Sequence, residues 1–419
     1  MSISLALISL WPHPVKQAGF AGASSSRSPQ SVPTLEKIGK DYRISNGAVI
    51  ESLSPSIAYN SVDNEYMVVW FDARNLATTE LDIFGQRIAA NGDFIGDNFT
   101  INHDIGGQFD PSLAYNSIDN NYLVAWESQF DRPGTPDFNH AFAQIMSNNG
   151  ALIGNRFHLS NGGLELSSAH NSTDNNFFVT GRAFAPGQFP GILGQAVSPL
   201  GVIIGGELSL AAGSDAGPNG QVAYNPNANE YLAIWRHLVT TNPTVTGDLE
   251  GRRISASGAP VGDPIVISNV FTESSGPTGS IAFDPDADRY LVVFTMFQGT
   301  VILAQFVSSS GQLIGSNFQI GTLDSREGAP SVVYSRGLHA YLMAWMNDKN
   351  ILAGVLAETG GAISNTISIT TRSKAAGSPR IALNTRTNDF LVVWPDDKKL
   401  KRKLNAGRQD IFAQLIRAS

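Results

Sequence analysis

Apolar residues in this chain gather in short runs divided by clusters of Asn, Asp, Gly and Pro. Met67-Val68-Val69-Trp70 and Leu291-Val292-Val293-Phe294 are two such runs. They do not alternate strictly with polar residues, which is the pattern of a strand buried on both faces. The stretch Pro55 to Asn102 reads as four short strands joined by three turns, and it recurs to the C-terminus. Its anchors are Tyr59/Trp70, Tyr115/Trp126, His170/Gly181, Tyr224/Trp235, Phe283/Phe294, Tyr334/Trp345 and Leu383/Trp394, each pair 11 residues apart. The constant spacing predicts a first hairpin of fixed length. Its turns, NSVDNE, NSIDNN, NPNANE and DPDADR among them, are rich in Asn, Asp and Pro, the residues that bond their own backbone or preset a turn.

A third strand is marked by Gln86, Gln144, Gln195, Arg252, Gln305, Gly354 and Gln414. In the first six repeats a glycine follows six residues later, as in Asn91-Gly92 and Asn149-Gly150. Asn-Gly is a strong hairpin signal because a primed turn needs positive φ. A fourth strand follows, but the seventh repeat stops at Ser419 after its third. The missing copy stands at the other end of the chain, where Ile38 to Ser45 matches Ile95 to Asn102. An N-terminal strand over about 38–45 therefore completes the last repeat and closes a ring. The expected fold is all-β: seven four-stranded blades around a channel. The blades resemble those of bacterial seven-bladed β-propellers of a repeat type with AYN…EYLVVW…GQR…G. That resemblance spans roughly residues 37–419 and implies an architecture rather than an activity, since propellers host hydrolases, lyases, redox enzymes and pure binding scaffolds.

Composition agrees with this picture and narrows the function. The 419 residues include 41 Gly and 21 Pro, with only 15% charged. The formal net charge of −8 argues against a general attraction to nucleic acid or anionic membrane. No cysteine is present, which excludes disulfides, thiolate metal sites and a cysteine nucleophile. No apolar run is long enough to span a bilayer. Residues 1–36 form a separate leader. Ile3 to Trp11 is apolar and Ala21 to Ser26 is small, an order that resembles a signal peptide, although the first Lys is Lys16. The expected location is extracellular or periplasmic.

Function is sought where the repeat breaks. The turns between strands 1 and 2 and between strands 3 and 4 are constant. The connections from strand 2 to 3 and from strand 4 to the next strand 1 vary, and both sets emerge on one face. Variable loops on a rigid scaffold carry binding and catalysis, whereas residues repeated in most blades are architectural. Directly after the second-strand anchor stand Glu127, Arg182 and Arg236 on consecutive blades, with His237 beside Arg236. The long blade-2 loop adds Arg132 and His140, and the blade 1–2 connection adds His103 and Asp110. Arginines suit carboxylate or phosphate, and histidines suit proton transfer. The blade-7 loop PDDKKLKRKLNAGRQD carries Lys399 and Arg402 in a dense basic run; it reads as a solvated loop or a dock for a polyanion. Gly181 in place of Trp makes blade 3 a weak copy, with Phe184 or Phe189 expected to supply the missing packing.

Asp284-Pro-Asp286-Ala-Asp288 begins like a calcium loop but lacks its glycine and downstream Glu, so it reads as a turn. No HExxH, GxSxG or P-loop occurs. The expectation is a secreted, monomeric propeller without metal or cofactor that binds a protein or glycan through its variable face. The alternative is an enzyme acting on polysaccharide, a lyase or glycoside hydrolase, with its site on the blade 2–4 loops.

Overall fold

In the computed structural model the described residues are 32–46, 52–129, 140–160, 163–183, 191–211, 220–241, 244–271, 279–295, 301–323, 329–371, 375, 377–398 and 408–419. They form seven four-stranded antiparallel sheets. Blade 1 comprises Ser52–Asn60, Glu65–Asp72, Asp82–Ala89 and Phe94–Asn102, and the next five repeat this order. Blade 7 takes Arg380–Leu383, Phe390–Lys398 and Arg408–Ala418 from the C-terminus and its outer strand, Leu35–Arg43, from the N-terminus. Leu35 faces Ala418 and Arg43 faces Phe412 in that ladder. Backbone bonds extend it at both ends: Thr34 N to Ser419 O at 2.7 Å and Ile44 N to Ile411 O at 2.7 Å. The closing strand thus starts a few residues earlier than the match to blade 1 predicts, because Leu35 to Lys37 still find partners at Ile416 to Ala418.

Every blade buries both faces against its neighbours, which is why the apolar runs do not alternate. Met67, Val69 and Phe71 of blade 1 pack with Tyr122, Val124 and Trp126 of blade 2. From the opposite face of the same strand, Val68 and Trp70 pack with Leu391 and Val393 of blade 7. At Gly181 the space of the absent side chain belongs to Leu166, whose Cδ2 lies 2.6 Å from where a Cβ would stand. Phe184 and Phe189, the expected substitutes, lie outside the described residues.

The repeated polar residues hold the ring together. The Gln86 amide donates to the carbonyls of Arg87 and Gly96 at 2.8 and 3.1 Å, tying the third strand to the irregular start of the fourth. Gln144, Gln195, Gln305 and Gln414 likewise donate to the fourth strand, at the carbonyls of Ile153, Ile204, Ile314 and Ile38. Arg252 reaches Gly262 O in its own blade and Leu210 O in the preceding one. At the turns, Asn60 caps its own hairpin by accepting from the N–H groups of Val62 and Asp63. Its Nδ2 then donates 2.9 Å to Asn120 Oδ1 of blade 2. Asn120 has φ 52°, a backbone state Asn tolerates better than most residues, and it also accepts from Tyr115 Oη at 3.0 Å. The same latch joins Asn116 to Asn175, Asn171 to Asn229 and, across the closure, Asn384 to Asn64. The Tyr-Asn motif is therefore an inter-blade clasp.

Candidate functional site

The first strands of the blades line the channel, and their N-terminal ends open on the face of the variable loops. There they wall a cavity of about 410 Å³ that draws residues from all seven blades. Three residues before each first-strand anchor stand Ser56, Ser112, Ser167, Gln221, Ser280, Ser331 and Arg380, all on its wall. The serines have structural work. Ser56 Oγ accepts the N–H of Leu113 at 3.1 Å, Ser167 Oγ that of Val222 at 3.2 Å, and Ser280 Oγ that of Val332 at 3.2 Å. Each clips one inner strand to the next.

Arg380 interrupts this ring. A guanidinium has five donors and no acceptor, so it cannot make the serine clip to the following blade. It is half-buried. Burial pushes it below its ordinary value, and the charge of Asp110 opposes that shift. Among the described residues no carboxylate forms a salt bridge with it.

Two further acids reach this region through backbone irregularity. In blades 1, 2 and 3 the ladder slips just before the ring, between Leu53 and Ser56, Phe109 and Ser112, and Leu164 and Ser167. The slip leaves Ser54, Asp110 and Glu165 with φ of 48°, 45° and 54°. All three line the cavity. Left-handed non-glycine residues cost free energy and concentrate at functional sites, and bulges re-aim side chains there.

The residues expected from the sequence divide into three sets. Glu127, Arg182 and Arg236 belong together. Glu127 is 4% exposed and accepts the backbone N–H of Glu165 through Oε1. Arg236 is 7% exposed; burial lowers it below its ordinary value, Glu165 counteracts this, and the charge of Arg182 adds to it. Glu165 thus connects blades 2, 3 and 4, holding Glu127 through its backbone N–H and acting on Arg236 through its charge. His140 and His237 stand apart from that set. His237 Nδ1 is 2.9 Å from Glu250 Oε1 in the extended hairpin of blade 4. His140 lies opposite Ser128 in its ladder, with its ring 5.5 Å from that of His158. Arg132, Lys399 and Arg402 lie outside the described residues.

The three aspartates of the calcium-like sequence serve the blade-5 turn and its neighbours. Asp284 Oδ1 accepts the N–H groups of Asp286 and Ala287, as Asn60 does in blade 1. Asp286 pairs with Arg336 at 2.7 Å, and Asp288 accepts from Ser309 and Asn227.

Sequence reasoning passed over Arg380 and Glu165. Arg380 was visible as the departure from the Ser/Gln series at a fixed distance from the anchors. Glu165 depends on a bulge that no motif marks.

No family model matches the chain, and none of the curated proteins does. Among solved structures, Kuenenia stuttgartiensis hydrazine synthase is similar at 10% identity and TM-score 0.52, over 83% of this chain and 95% of that one. NanB, in a structure with Optactamide, is similar at 9% identity and TM-score 0.50, over 89% of this chain and 70% of that one. At such identities the likeness shows the β-propeller fold alone; the seven four-stranded blades are read from this chain's own sheets.

Proposed function

We propose that this chain is an exported, non-catalytic propeller that binds a glycan on its variable-loop face, with part of the ligand seated in the channel mouth. The observation that carries this reading is the 410 Å³ cavity at the loop-face end, walled by hydroxyls, Gln221, Asp110, Glu165 and Arg380. A concave site with convergent polar groups is where a ligand is recognised, and this wall of donors and acceptors matches a polyhydroxylated ligand better than an apolar side chain. Binding is favoured over turnover by how Glu127 is used. It is buried against the Glu165 backbone, a position that fixes the blade-3 entry strand rather than presenting an acid to a substrate.

An array of neutral and acidic oligosaccharides, followed by calorimetry on the full chain, tests the reading. Saccharide binding is expected without new reducing ends and without the ultraviolet absorbance of an unsaturated uronate. Binding of a protein and no saccharide would overturn the glycan reading. Turnover that disappears in Arg236→Ala would establish an enzyme with its site on blades 2–4 instead.

A further inference from the structure

The position of Arg380 says more about the ligand than the cavity does. Five of the seven positions in its ring are serines and one is Gln. Where the clip forms, the hydroxyl takes the N–H of the next blade's inner strand. At the junction from blade 7 to blade 1 the residue owed that contact faces Ile57, which also lines the cavity. Arginine cannot accept the Ile57 N–H. The first strand of blade 7 is also short, Arg380–Leu383, only 4 residues. The ring therefore has no such clip at this junction.

Serine makes the clip at three junctions, from Ser56, Ser167 and Ser280, and would be able to make it here. The residue found instead is a planar cation, half-buried in a cavity open to solvent at the loop face. Asp110 lies within electrostatic reach, yet no described carboxylate makes a salt bridge to the guanidinium. Arg380 itself lines the cavity. A buried cation is costly unless paired and hydrogen-bonded, and a carboxylate accepts the guanidinium fork in bidentate fashion. The surrounding serine hydroxyls and Gln221 would take the ring hydroxyls beside that group.

We infer that Arg380 is the specificity residue of an acidic-sugar subsite in the channel mouth, holding the carboxylate of a uronate-type saccharide. This rests on the glycan-binding reading above and names the class of glycan. Asp110 on the blade-2 wall then acts as a repulsive element that disfavours the carboxylate there, a use of unfavourable contacts to set specificity.

The substitution Arg380→Ser separates this role from a structural one. It supplies the hydroxyl that makes the clip in blades 1, 3 and 5, so the melting temperature should hold or rise. Trigalacturonate is the probe, and its methyl ester is the uncharged control. On the full chain, trigalacturonate should bind roughly ten- to hundredfold tighter than the ester, the range for a charged hydrogen-bonded pair. Arg380→Ser should erase that ratio, Arg380→Lys should keep part of it, and the acid's affinity should fall with added salt. A melting temperature that drops in Arg380→Ser with the acid-to-ester ratio intact would make Arg380 a structural residue and overturn the inference. Tighter binding of the ester would overturn it while leaving glycan binding in place. Binding of neither, with no hit among neutral saccharides, would defeat both readings.

Discussion

The two ends of the channel are built by the same seven first strands, yet they follow opposite rules. At the turn end the residues repeat, and in four blades the same Asn latches to the next blade: Asn60 with Asn120, Asn116 with Asn175, Asn171 with Asn229, Asn384 with Asn64. At the loop end the repeat is broken by Arg380, by Gln221 and by the left-handed Asp110 and Glu165. The turn end spends its polar groups on the ring. The loop end keeps a cavity and places charge in it. In a repeat protein, regularity thus marks what holds the structure, and irregularity marks where a site is to be sought.

The sharpest way to break this contrast is to open the ring, because both ends depend on closure. Removal of residues 32–45 strips the outer strand from blade 7 and uncovers the face packed by Ile38, Tyr42 and Ile44. At roughly 1.5–3 kcal/mol for each large apolar side chain, the loss should be at least about 5 kcal/mol. Thermal unfolding of the truncated chain should fall to a lower, broader transition, and a peptide of residues 32–46 added in trans should restore part of it. An unchanged transition would show that the terminal strand does not close the ring.

The turn end offers a smaller break. Asn120 accepts from Tyr115 and from Asn60, donates to Asp63 at 3.1 Å, and sits at φ 52°. Asn120→Ala loses those bonds and leaves a β-carbon residue in the left-handed region. The expected cost is about 2–4 kcal/mol, read as a lower urea midpoint. Asn120→Gly should recover only the backbone part. If alanine and asparagine proved equal, the inter-blade clasp would carry no stability.

Much of the turn end was legible in the sequence, and the loop end only partly. The fixed 11-residue spacing and the relocated fourth strand lead to seven closed blades without coordinates, because sheet geometry leaves a hairpin of constant length few alternatives. The Tyr-Asn and Gln series were readable as structural from their repetition. Their partners were not, since Asn60 meets Asn120 only once the blades are stacked. Arg182 and Arg236 were found from their equivalent positions on consecutive blades. The charge of Glu165 acting on Arg236 was hidden, because no motif marks the slip between Leu164 and Ser167 that sets Glu165 in the left-handed region. His237 looked like a loop residue. Blade 4 instead continues its hairpin through Glu230–Thr241 and Thr244–Ser255, and the longer ladder brings His237 to Glu250.

Blade 3 supplies the smallest and most specific contrast, within the turn end itself. Tyr59, Tyr115 and Tyr224 bond their left-handed Asn at 2.7, 3.0 and 3.0 Å, whereas His170 Nε2 lies 3.5 Å from Asn175 Oδ1. Burial pushes His170 below its ordinary value of 6.5, while Asn175 opposes the shift. A histidine whose folded value is depressed is neutral in the native state where the unfolded chain already binds a proton. Stability is therefore fully present above the ordinary value and is lost as pH falls through it toward the depressed folded one. His170→Tyr replaces a weak, titrating clasp with the one that blades 1, 2 and 4 use. Its melting temperature should exceed that of the natural chain by about 1 °C at neutral pH, with the gap widening toward pH 5. A gap that narrows on acidification would mean that protonated His170 strengthens the clasp, and the desolvation argument for blade 3 would fail.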